Sequence, residues 1–332
     1  MITFNAMEKV RWGIVGPGKI AKHFANDLLL SEDAEIEAVA SRSEERSKQF
    51  ASEYNIPHVF TSYEALFTSN TVDVVYIATP HVFHKNVTLQ ALENNLAVLC
   101  EKPLGVNTKE VLEMTQLAKS KQVFLMEALW SRFNPTIKAV KERIDQGALG
   151  TVSYVNADFA FYALDRPKDS RLLNLALAGG TLLDIGIYPV FLAYLFLGMP
   201  NEIKAASNFN SEGTEIQTSM IFEYPQAQAI LNSSFRNTSR MSAELAGPKG
   251  TITLNPRFHE SDGYTIDTNE VSESIKLPPT GRGYFHEIEE VHQCLRRGAL
   301  ESELWSHQDS INLSTLLDRI RLQTGVHFPF ES

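Results

Sequence analysis

Residues 10–30 read VRWGIVGPGKIAKHFANDLLL, and this stretch decides the fold. The apolar run from Val10 to Val15 predicts a short strand, and the glycines at positions 16 and 18 predict a tight turn. The residues that follow predict a helix as far as about Leu30. A strand, a glycine turn and a helix in this order are typical of the start of a β-α-β unit.

The turn has the pattern G-x-G-x-x-A. Gly16 permits the tight turn, Gly18 lets the backbone approach a pyrophosphate, and Ala21 lets the helix pack closely on its strand. The N-terminus of the helix adds free N–H groups and a positive dipole. A dinucleotide site is therefore predicted here, with a plain structural turn as the alternative. The predicted phosphate-binding residues are Gly16, Pro17, Gly18, Lys19 and Ile20.

Strand and helix patterns alternate through the first third of the chain. The run VDVVYIA at 72–78 is wholly apolar and rich in β-branched residues, as is typical of a strand covered on both faces. Such alternation predicts a parallel sheet with crossover helices. Strands are predicted at 10–15, 36–41, 58–60, 72–78, 97–100 and 123–127, and helices at 19–30, 44–54, 84–94 and 108–120.

After Phe133 the pattern changes to alternating strands separated by short turns, which predicts an antiparallel sheet with one face covered. The predicted fold class is α/β, with an N-terminal Rossmann-type doubly wound parallel sheet and a C-terminal α+β domain with an open, mainly antiparallel sheet. The predicted domains are residues 1–129 and 130–332. Strands are expected at 151–161, 202–209, 215–224, 227–235, 241–247 and 250–255, helices at 135–146, 284–297 and 307–324, and loops at 162–178 and 256–283.

Composition excludes several classes of protein. The chain has 332 residues, of which 43% are hydrophobic and 21% charged, so two globular domains are the natural expectation. A formal net charge of -10 argues against nucleic acid or an anionic membrane surface as the main partner. No apolar run approaches the ~20 residues of a membrane span, and no signal peptide is visible. With only two cysteines, a cytoplasmic protein with reduced thiols is expected.

The residues at the end of the second strand indicate the cofactor. A site that prefers NAD usually places Asp or Glu there to accept from the ribose hydroxyl. This sequence has Ser41 and Arg42 instead, and a guanidinium suits a 2′-phosphate. NADP is therefore predicted, with NAD possible. The alternative is that Arg42 is only a solvated residue before a helix.

Further candidate residues follow the fourth and fifth strands, at the edge where such folds bind ligands. Lys102 follows the fifth strand, and Pro103 prevents that strand from continuing. Lys102 is therefore a candidate residue beside the cofactor, and the alternative is that it is a surface lysine before a turn. His81 and His84 are three apart, but no third ligand is nearby, so no metal site is predicted. His286, Glu287 and His292 are expected on the surface. The predicted cofactor residues in this group are Thr79, Pro80, His81, His84, Glu101 and Lys102.

Three segments resemble one family. The glycine turn, the tripeptide at 101–103 and GGTLLDIGIY at 179–188 are similar to the glucose–fructose oxidoreductase/inositol dehydrogenase (Gfo/Idh/MocA) family. MEALWSRF at 126–133 and the tyrosine that ends LLDIGIY resemble its dimeric dihydrodiol dehydrogenase branch, whose members also oxidise D-xylose with NADP. The resemblance extends over nearly the whole chain. Many relatives have a histidine at the position of Tyr188, so the histidine type is a poor guide to the substrate here.

The resemblance implies that Lys102 and Tyr188 are the catalytic pair, with Asp184 beside them, and that the partner is a second copy of the chain. Hydride transfer from a carbinol needs a base for the hydroxyl proton. A free tyrosine, with a pKa of about 10, is a poor base at neutrality, and a nearby ammonium favours its phenolate. Asp184 and Tyr188 share one face if that segment is helical, and an interdomain cleft is expected for the site. Trp130 and Phe159 are candidate substrate residues.

The predicted activity is an NADP-dependent oxidoreductase that acts on a CH–OH group of an aldopyranose such as D-xylose or of a trans-dihydrodiol. Two alternatives stay open at this point. One is an NADPH-dependent reductase of a sugar-derived carbonyl. The other is a non-catalytic NADP-sensing protein on the same fold, since fold alone does not fix function. The open sheet and the resemblance together predict a homodimer that pairs sheet to sheet.

Overall fold

The computed structural model describes residues 9–270 and 272–331, and the chain divides into two compact units. The first unit contains the residues up to Phe133 together with Thr280–Ile311. The second contains Asn134–Pro279 and the residues from Asn312 onward. The predicted domain boundary after residue 129 stays a prediction. The predicted domains did not assign Thr280–Ile311 to the first unit.

The first unit is built on a six-stranded parallel sheet in the order β3-β2-β1-β4-β5-β6. The strand order reverses between β1 and β4, which makes this pair the switch point of a doubly wound sheet. The predicted Rossmann-type sheet is confirmed. Its strands are β1 (Val10–Val15), β2 (Ala34–Ala40), β3 (His58–Phe60), β4 (Val74–Ile77), β5 (Ala97–Glu101) and β6 (Leu125–Ala128).

Helices connect these strands, and side-chain caps fix where several of them begin. The side chains of Ser43, Ser62 and Asn107 each accept a hydrogen bond from a backbone N–H of the first helical turn. The short helix at Tyr63–Phe67 lies where no element was predicted. The helices are α1 (Lys19–Leu28), α2 (Glu44–Tyr54), α3 (Tyr63–Phe67), α4 (His84–Glu93) and α5 (Thr108–Lys121).

The second unit contains an eight-stranded sheet in the order β14-β13-β12-β11-β7-β10-β9-β8. All neighbouring strands are antiparallel except β7 and β10, which are parallel, so the mainly antiparallel sheet is confirmed. The last two strands lie in a stretch that was predicted as a loop. The strands are β7 (Tyr154–Ala160), β8 (Glu202–Phe209), β9 (Glu215–Glu223), β10 (Gln228–Ser234), β11 (Ala243–Gly247), β12 (Gly250–Leu254), β13 (Gly263–Thr268) and β14 (Ser272–Lys276).

One face of this sheet is covered by helices of the second unit. The elements that pack on the sheet include α6 (Pro135–Asp145) and α7 (Ile187–Leu197). A π-helical segment, Leu182–Gly186, leads directly into α7 and also packs on the sheet. On the other face, Ile221 of β9 and Ile230 of β10 are exposed and pair directly across the two strands. The sheet therefore has one covered face and one open face that carries apolar side chains.

Contrary to the expectation from the sequence, the stretch Leu175–Leu197 is long and apolar enough to cross a membrane by length and composition alone, and an 18-residue window within it has a mean hydropathy of 1.7. However, 72% of that window is buried, and Ile187 through Ala193 are buried without interruption. The core helix of a globular domain has these same properties. Burial among the strands of the second unit accounts for the apolar composition.

The segment that returns to the first unit contains α8 (Phe285–Arg297) and leads into α9 (His307–Thr324). Asp27, near the end of α1, accepts hydrogen bonds from the backbone N–H groups of Arg282, Gly283 and Tyr284 at 2.8–2.9 Å. A carboxylate at this place satisfies N–H groups that have no partner within the helix. This contact ties the start of α8 to α1.

The expectation that α8 carries surface histidine and glutamate residues is wrong for two of them. His292 is fully buried, and its Nε2 accepts a hydrogen bond from Trp12 Nε1 at 3.0 Å. Glu287 is also fully buried, and within the described residues neither of its carboxyl oxygens has a hydrogen-bond partner. Burial, and then the nearby charges of Glu101 and Asp27, raise the pKa of Glu287 well above its usual range.

Substitution of Glu287 should change how stability depends on pH. Because the folded-state pKa of Glu287 is raised, its contribution is intact below the unfolded pKa of about 4.5 and is lost as pH rises towards the folded value. Glu287→Gln, a neutral isostere, should therefore raise Tm by roughly 2 °C or more at pH 8 and much less at pH 4.5. Thermal unfolding at both pH values measures this.

Glu32→Gln, on the surface of the same unit, is the matched control and should change Tm little at either pH. An equal Tm change for Glu287→Gln at both pH values would show that the carboxyl does not titrate in this range.

Candidate active site

The glycine turn lies at the carboxyl end of β1. Gly16 has a positive φ of 86°, and a Cβ at this residue would lie 3.1 Å from the carbonyl oxygen of Ala78. Gly18 precedes α1 and is exposed, as are Lys19 and Ile20. The turn thus passes close to the end of β4 on one side and presents the N-terminus of α1 to solvent on the other. Such an N-terminus binds anions through its free N–H groups.

Ser41 and Arg42 follow β2. The backbone N–H of Ser43 donates to Ser41 Oγ at 3.1 Å, and Ser43 in turn caps α2. The Arg42 guanidinium lies 5.0 Å from the centroid of the Phe83 ring, within the range of a cation–π contact. Arg42 is exposed at the same edge of the sheet as the glycine turn. The structure therefore places Arg42 where a charged group can meet a ligand from solution.

The turn after β4 is partly buried. The hydroxyl of Thr79 is buried and makes no hydrogen bond within the described residues, and its methyl group lies under Gly16. His84 is fully buried between two backbone carbonyls, with Nδ1 at 2.8 Å from Pro103 O and Nε2 at 2.8 Å from Thr79 O. His84 therefore links the turns that follow β4 and β5. His81, also buried, lies beside it, with 5.7 Å between the two ring centroids.

Glu101 and Lys102 stand at the carboxyl end of β5. The phenol of Tyr76 donates to Glu101 Oε1 at 2.5 Å, and the backbone N–H of Lys102 donates to Glu101 Oε2 at 3.2 Å. The Lys102–Pro103 peptide bond is cis. Glu101 thus fixes the backbone from which the half-buried Lys102 side chain extends.

A second carboxylate supports the other side of this loop. Glu127 Oε1 accepts from the backbone N–H of Leu104 at 2.9 Å, and Glu127 Oε2 accepts from Trp305 Nε1 at 3.0 Å. Burial raises the pKa of Glu127, whereas the hydrogen bonds from Trp305 and Leu104 lower it. Lys102 therefore lies in a loop whose backbone is held by one carboxylate on each side.

Trp130 was predicted to line a substrate wall. Its ring is buried and stacks on Tyr284, with centroids 4.7 Å apart and planes at 12°. Both residues belong to the first unit. The structure thus shows Trp130 packed within that unit, and its contact with a substrate stays a prediction.

Asp184 and Tyr188 lie in the second unit, in the π-helical segment and the first turn of α7. Asp184 is buried, and its Oδ1 accepts from Arg171 at 2.8 Å. A π-helix has more residues in each turn than an α-helix. The four-residue spacing of Asp184 and Tyr188 therefore does not by itself place them on one face of the helix, as it would in an α-helix. The guanidinium of Arg171 is thus paired with Asp184.

Aromatic rings surround Tyr188 within the second unit. The ring of Phe159 lies 5.6 Å from that of Tyr188, and the ring of His259 lies 5.2 Å from it. His259 stacks on Phe159 at 4.2 Å, and all three side chains are buried. Phe159 was predicted as a candidate substrate residue, which stays a prediction, whereas His259 was not predicted. A lone histidine in a stretch predicted as a loop gave no signal for this position.

Gly179 and Gly180, just before the π-helical segment, lie against other parts of the second unit. In the structure, a Cβ at Gly179 would lie 2.7 Å from the backbone nitrogen of Asn174, and one at Gly180 would lie 3.0 Å from Glu215 Oε2. The glycines therefore allow close packing of the protein against itself.

The predicted site residues fall into two groups, one in each unit. The candidate cofactor residues and Lys102 gather at the carboxyl edge of the parallel sheet, and Asp184, Tyr188 and Phe159 gather in the second unit. Within the described residues, no group of three or more His, Cys, Asp or Glu side chains could bind a metal ion.

Comparison with known protein families gives two matches along the chain. Residues 10–129 match the oxidoreductase family with an NAD-binding Rossmann fold, and residues 137–253 match the Gfo/Idh/MocA C-terminal domain. The trans-1,2-dihydrobenzene-1,2-diol dehydrogenase of Mus musculus is 36% identical and that of Homo sapiens 35% identical. Each alignment covers 96% of this chain and 98% of the relative.

Solved structures show the same fold. A 3-ketoreductase from Actinomadura kijaniata, in complex with NADP and TDP-benzene, has a TM-score of 0.86 at 25% identity. An aldose-aldose oxidoreductase from Caulobacter crescentus has a TM-score of 0.87 at 23% identity. Both comparisons cover 96% of this chain and 98% of the other chain.

Proposed function

The chain belongs to the Gfo/Idh/MocA oxidoreductase family, with an NAD-binding Rossmann fold, and we propose that it is an NADP-dependent dehydrogenase of a sugar or cyclic diol. The reaction would be the reversible oxidation of a carbinol in an aldopyranose such as D-xylose or in a trans-dihydrodiol. One observation carries this proposal: the glycine turn, Thr79 and Lys102 follow β1, β4 and β5 at a single edge of the sheet. The full-length similarity to trans-dihydrodiol dehydrogenases supports the diol.

The residues at this edge fit a dinucleotide phosphate. Gly16 and Gly18 leave the N-terminus of α1 open to a pyrophosphate, and the buried Thr79 hydroxyl is a further polar group there. Arg42 offers a guanidinium to a 2′-phosphate, which supports NADP over NAD. When bound, NADP accepts the hydride of the carbinol carbon, and NADPH returns it in the reverse direction.

In this proposal Tyr188 exchanges the proton of the substrate hydroxyl. The phenolate takes this proton during oxidation, and the phenol returns it during reduction. The ammonium of Lys102 acts on the same group, because a positive charge favours the phenolate.

Asp184 and its aromatic neighbours would orient the substrate. Because Arg171 donates to Asp184 Oδ1 at 2.8 Å, the orientation of the carboxylate is fixed beside Tyr188. The rings of Phe159 and His259 give an apolar surface beside Tyr188. Sugars and cyclic diols offer both an apolar ring face and hydroxyl groups to such a surface.

A second candidate within the same class is an NADPH-dependent reductase of a sugar-derived carbonyl. The fold similarity to the 3-ketoreductase favours this direction. The residues would have the same roles, since Tyr188 would then donate its proton to the new hydroxyl. Measuring rates in both directions separates the two candidates.

A cytoplasmic location is part of the proposal, and the cysteines are consistent with it. Cys100 and Cys294 are both free and buried. Burial raises the pKa of the Cys294 thiol to about 12, so this thiol stays protonated at neutral pH. Neither cysteine needs an oxidising compartment.

We also propose that the partner is a second copy of the chain, bound through the open face of the eight-stranded sheet. Ile221 of β9 and Ile230 of β10 form an exposed apolar pair on this face. An exposed apolar pair on an uncovered sheet face favours association with another surface. Two such faces would cover each other in a dimer.

The activity is tested by following reduced nicotinamide absorbance with D-xylose, other aldopyranoses, inositols and trans-cyclohexanediol, first with NADP and then with NAD. Turnover with NADP is expected for a pyranose or the diol. Lys102→Ala and Tyr188→Phe should each lower kcat by roughly 10²- to 10⁴-fold, the usual range for acid–base groups, with little change in NADPH affinity.

Lys109→Ala and Tyr162→Phe are the matched controls, since both residues are exposed and lie outside the proposed site. The controls should keep the activity of the unmodified chain. Normal kcat in Lys102→Ala and Tyr188→Phe would contradict the proposed roles. NADPH binding without turnover across the panel would favour a sensor.

Arg42 is tested by comparing the two cofactors. Arg42→Ala should raise KM for NADP roughly 10- to 100-fold, because it removes hydrogen bonds to a charged phosphate, and should change KM for NAD little. Arg46→Ala, at an exposed arginine in the first turn of α2, is the control. Equal effects of Arg42→Ala on both cofactors would mean that this residue does not select the 2′-phosphate.

The dimer is tested by sedimentation. The unmodified chain should sediment at twice its mass of 37.2 kDa, and the double substitution Ile221→Lys and Ile230→Lys should yield the single-chain mass. Leu322→Lys, at an exposed leucine of α9, is the control and should stay dimeric. A single-chain mass for the unmodified protein would rule out the dimer.

A further inference from the structure

A buried carboxylate lies directly beneath the segment that carries Asp184 and Tyr188. Glu215, the first residue of β9, is 1% exposed. Its Oε1 accepts from the hydroxyl of Thr181 at 2.5 Å, and its Oε2 accepts from the backbone N–H of Leu182 at 2.9 Å. Leu182 is the first residue of the π-helical segment. Glu215 therefore caps this segment from a neighbouring strand.

The cap is part of a hydrogen-bond network that leaves little freedom. Thr218 Oγ1 also donates to Glu215 Oε1, at 2.6 Å. Since Thr181 donates its only hydroxyl proton to Glu215, the 2.9 Å contact between Thr181 and Ser233 requires Ser233 to donate. Three donors thus meet the carboxylate, one from the π-helical segment, one from the preceding residue and one from β9.

Two glycines show how closely the segment lies on the sheet. A Cβ at Gly180, where φ is +139°, would lie 3.0 Å from Glu215 Oε2, and a Cβ at Gly186 would lie 2.9 Å from Ser233 Oγ. The segment is therefore fixed at both ends by the strands beneath it. A π-helical turn contains one residue more than an α-helical turn and is common at functional sites. Removal of that residue from the turn would rotate Asp184 relative to Tyr188 by about 100°.

We propose that Glu215 is a positioning residue, which keeps the π-helical turn in place and so sets the orientation of Asp184 relative to Tyr188. Glu215 does not touch the reacting atoms in this account. It acts through the backbone of Thr181 and Leu182. The inference rests on the proposed function for its effect on turnover, but its effect on the segment itself does not depend on any substrate.

The test is Glu215→Gln, examined by hydrogen–deuterium exchange and by kinetics. The amide offers one acceptor oxygen in place of two, and its NH₂ group opposes the existing donors. Exchange should be faster in peptides that cover 181–188 and unchanged in β1 and α1. With the best substrate of the panel, kcat should fall roughly 10- to 100-fold, as expected for displaced reacting groups, while the Kd for NADPH stays within about twofold.

Thr136→Val is the matched control. Thr136 is fully buried in the same unit and donates its hydroxyl to Leu277 O at 3.0 Å, so its loss also removes one buried hydrogen bond. This variant should lower Tm without changing kcat or the exchange at 181–188. Thr218→Val, which removes one donor but leaves the carboxylate, gives a milder version of the Glu215 change and should produce a smaller loss of kcat.

Two outcomes overturn the inference. One is unchanged exchange at 181–188 in Glu215→Gln. The other is a normal kcat with a Tm loss like that of Thr136→Val, which would make Glu215 merely structural. If the unmodified chain has no turnover with any substrate, the proposed function fails, and the exchange measurement alone decides whether Glu215 fixes the turn.

Discussion

The pairing of β1 with β4 is the constraint on which the first unit depends. The two strands are adjacent in the sheet but not consecutive in the chain. The chain continues from β1 to β2 on one side of this pair and from β4 to β5 on the other side. A Cβ at Gly16 would lie only 3.1 Å from Ala78 O just after β4, and φ there is +86°, so glycine suits this close approach. Gly18, Thr79 and Lys102 follow β1, β4 and β5 at this same edge of the sheet.

Hydrogen-bonded carboxylates have a common role near the candidate residues. Glu101 and Glu127 fix the backbone around Lys102, and Glu215 fixes the backbone before Asp184. Burial of a carboxylate costs free energy unless donors satisfy it. Glu127 and Glu215 are buried and Glu101 is half-buried, and each of the three has at least two donors. Glu287 differs, because within the described residues its oxygens have no hydrogen-bond partner. The three satisfied carboxylates hold the backbone next to the candidate site residues in place, as a preorganised site requires.

Local pattern predicted much of the fold. The limits of β1 and α2 were predicted to the residue, because both depend on local signals. The apolar run of β1 ends at a glycine, and α2 begins after the serine that caps it. The π-helical segment and α7 were missed because Ile187 through Ala193 are buried on all sides and leave no amphipathic period. The last strand, β14, was missed because it is mostly exposed and polar. The return of α8 to the first unit depends on Asp27, more than 250 residues earlier, and no local pattern shows such a contact.

The candidate site was predictable to a different degree in each unit. The glycine turn and Arg42 followed from the motif, whereas Lys102 and Tyr188 followed from a family resemblance. Glu215 and His259 could not be predicted, because their importance lies in contacts with Leu182 and with Phe159 that are distant in sequence. A charged residue at the start of a strand and a histidine in a loop are ordinary in a sequence. Only their burial beside the π-helical segment and Tyr188 makes them significant.

The central claim is that a hydride moves directly between a carbinol carbon and the nicotinamide. The most direct test uses D-xylose deuterated at C1 and trans-cyclohexanediol deuterated at both carbinol carbons, with NADP in ordinary water and mass analysis of the reduced cofactor. The account predicts one deuterium in each NADPH formed from a labelled substrate, and none when unlabelled substrate reacts in heavy water. Unlabelled NADPH from the labelled substrates, or a label acquired from the solvent, would contradict it.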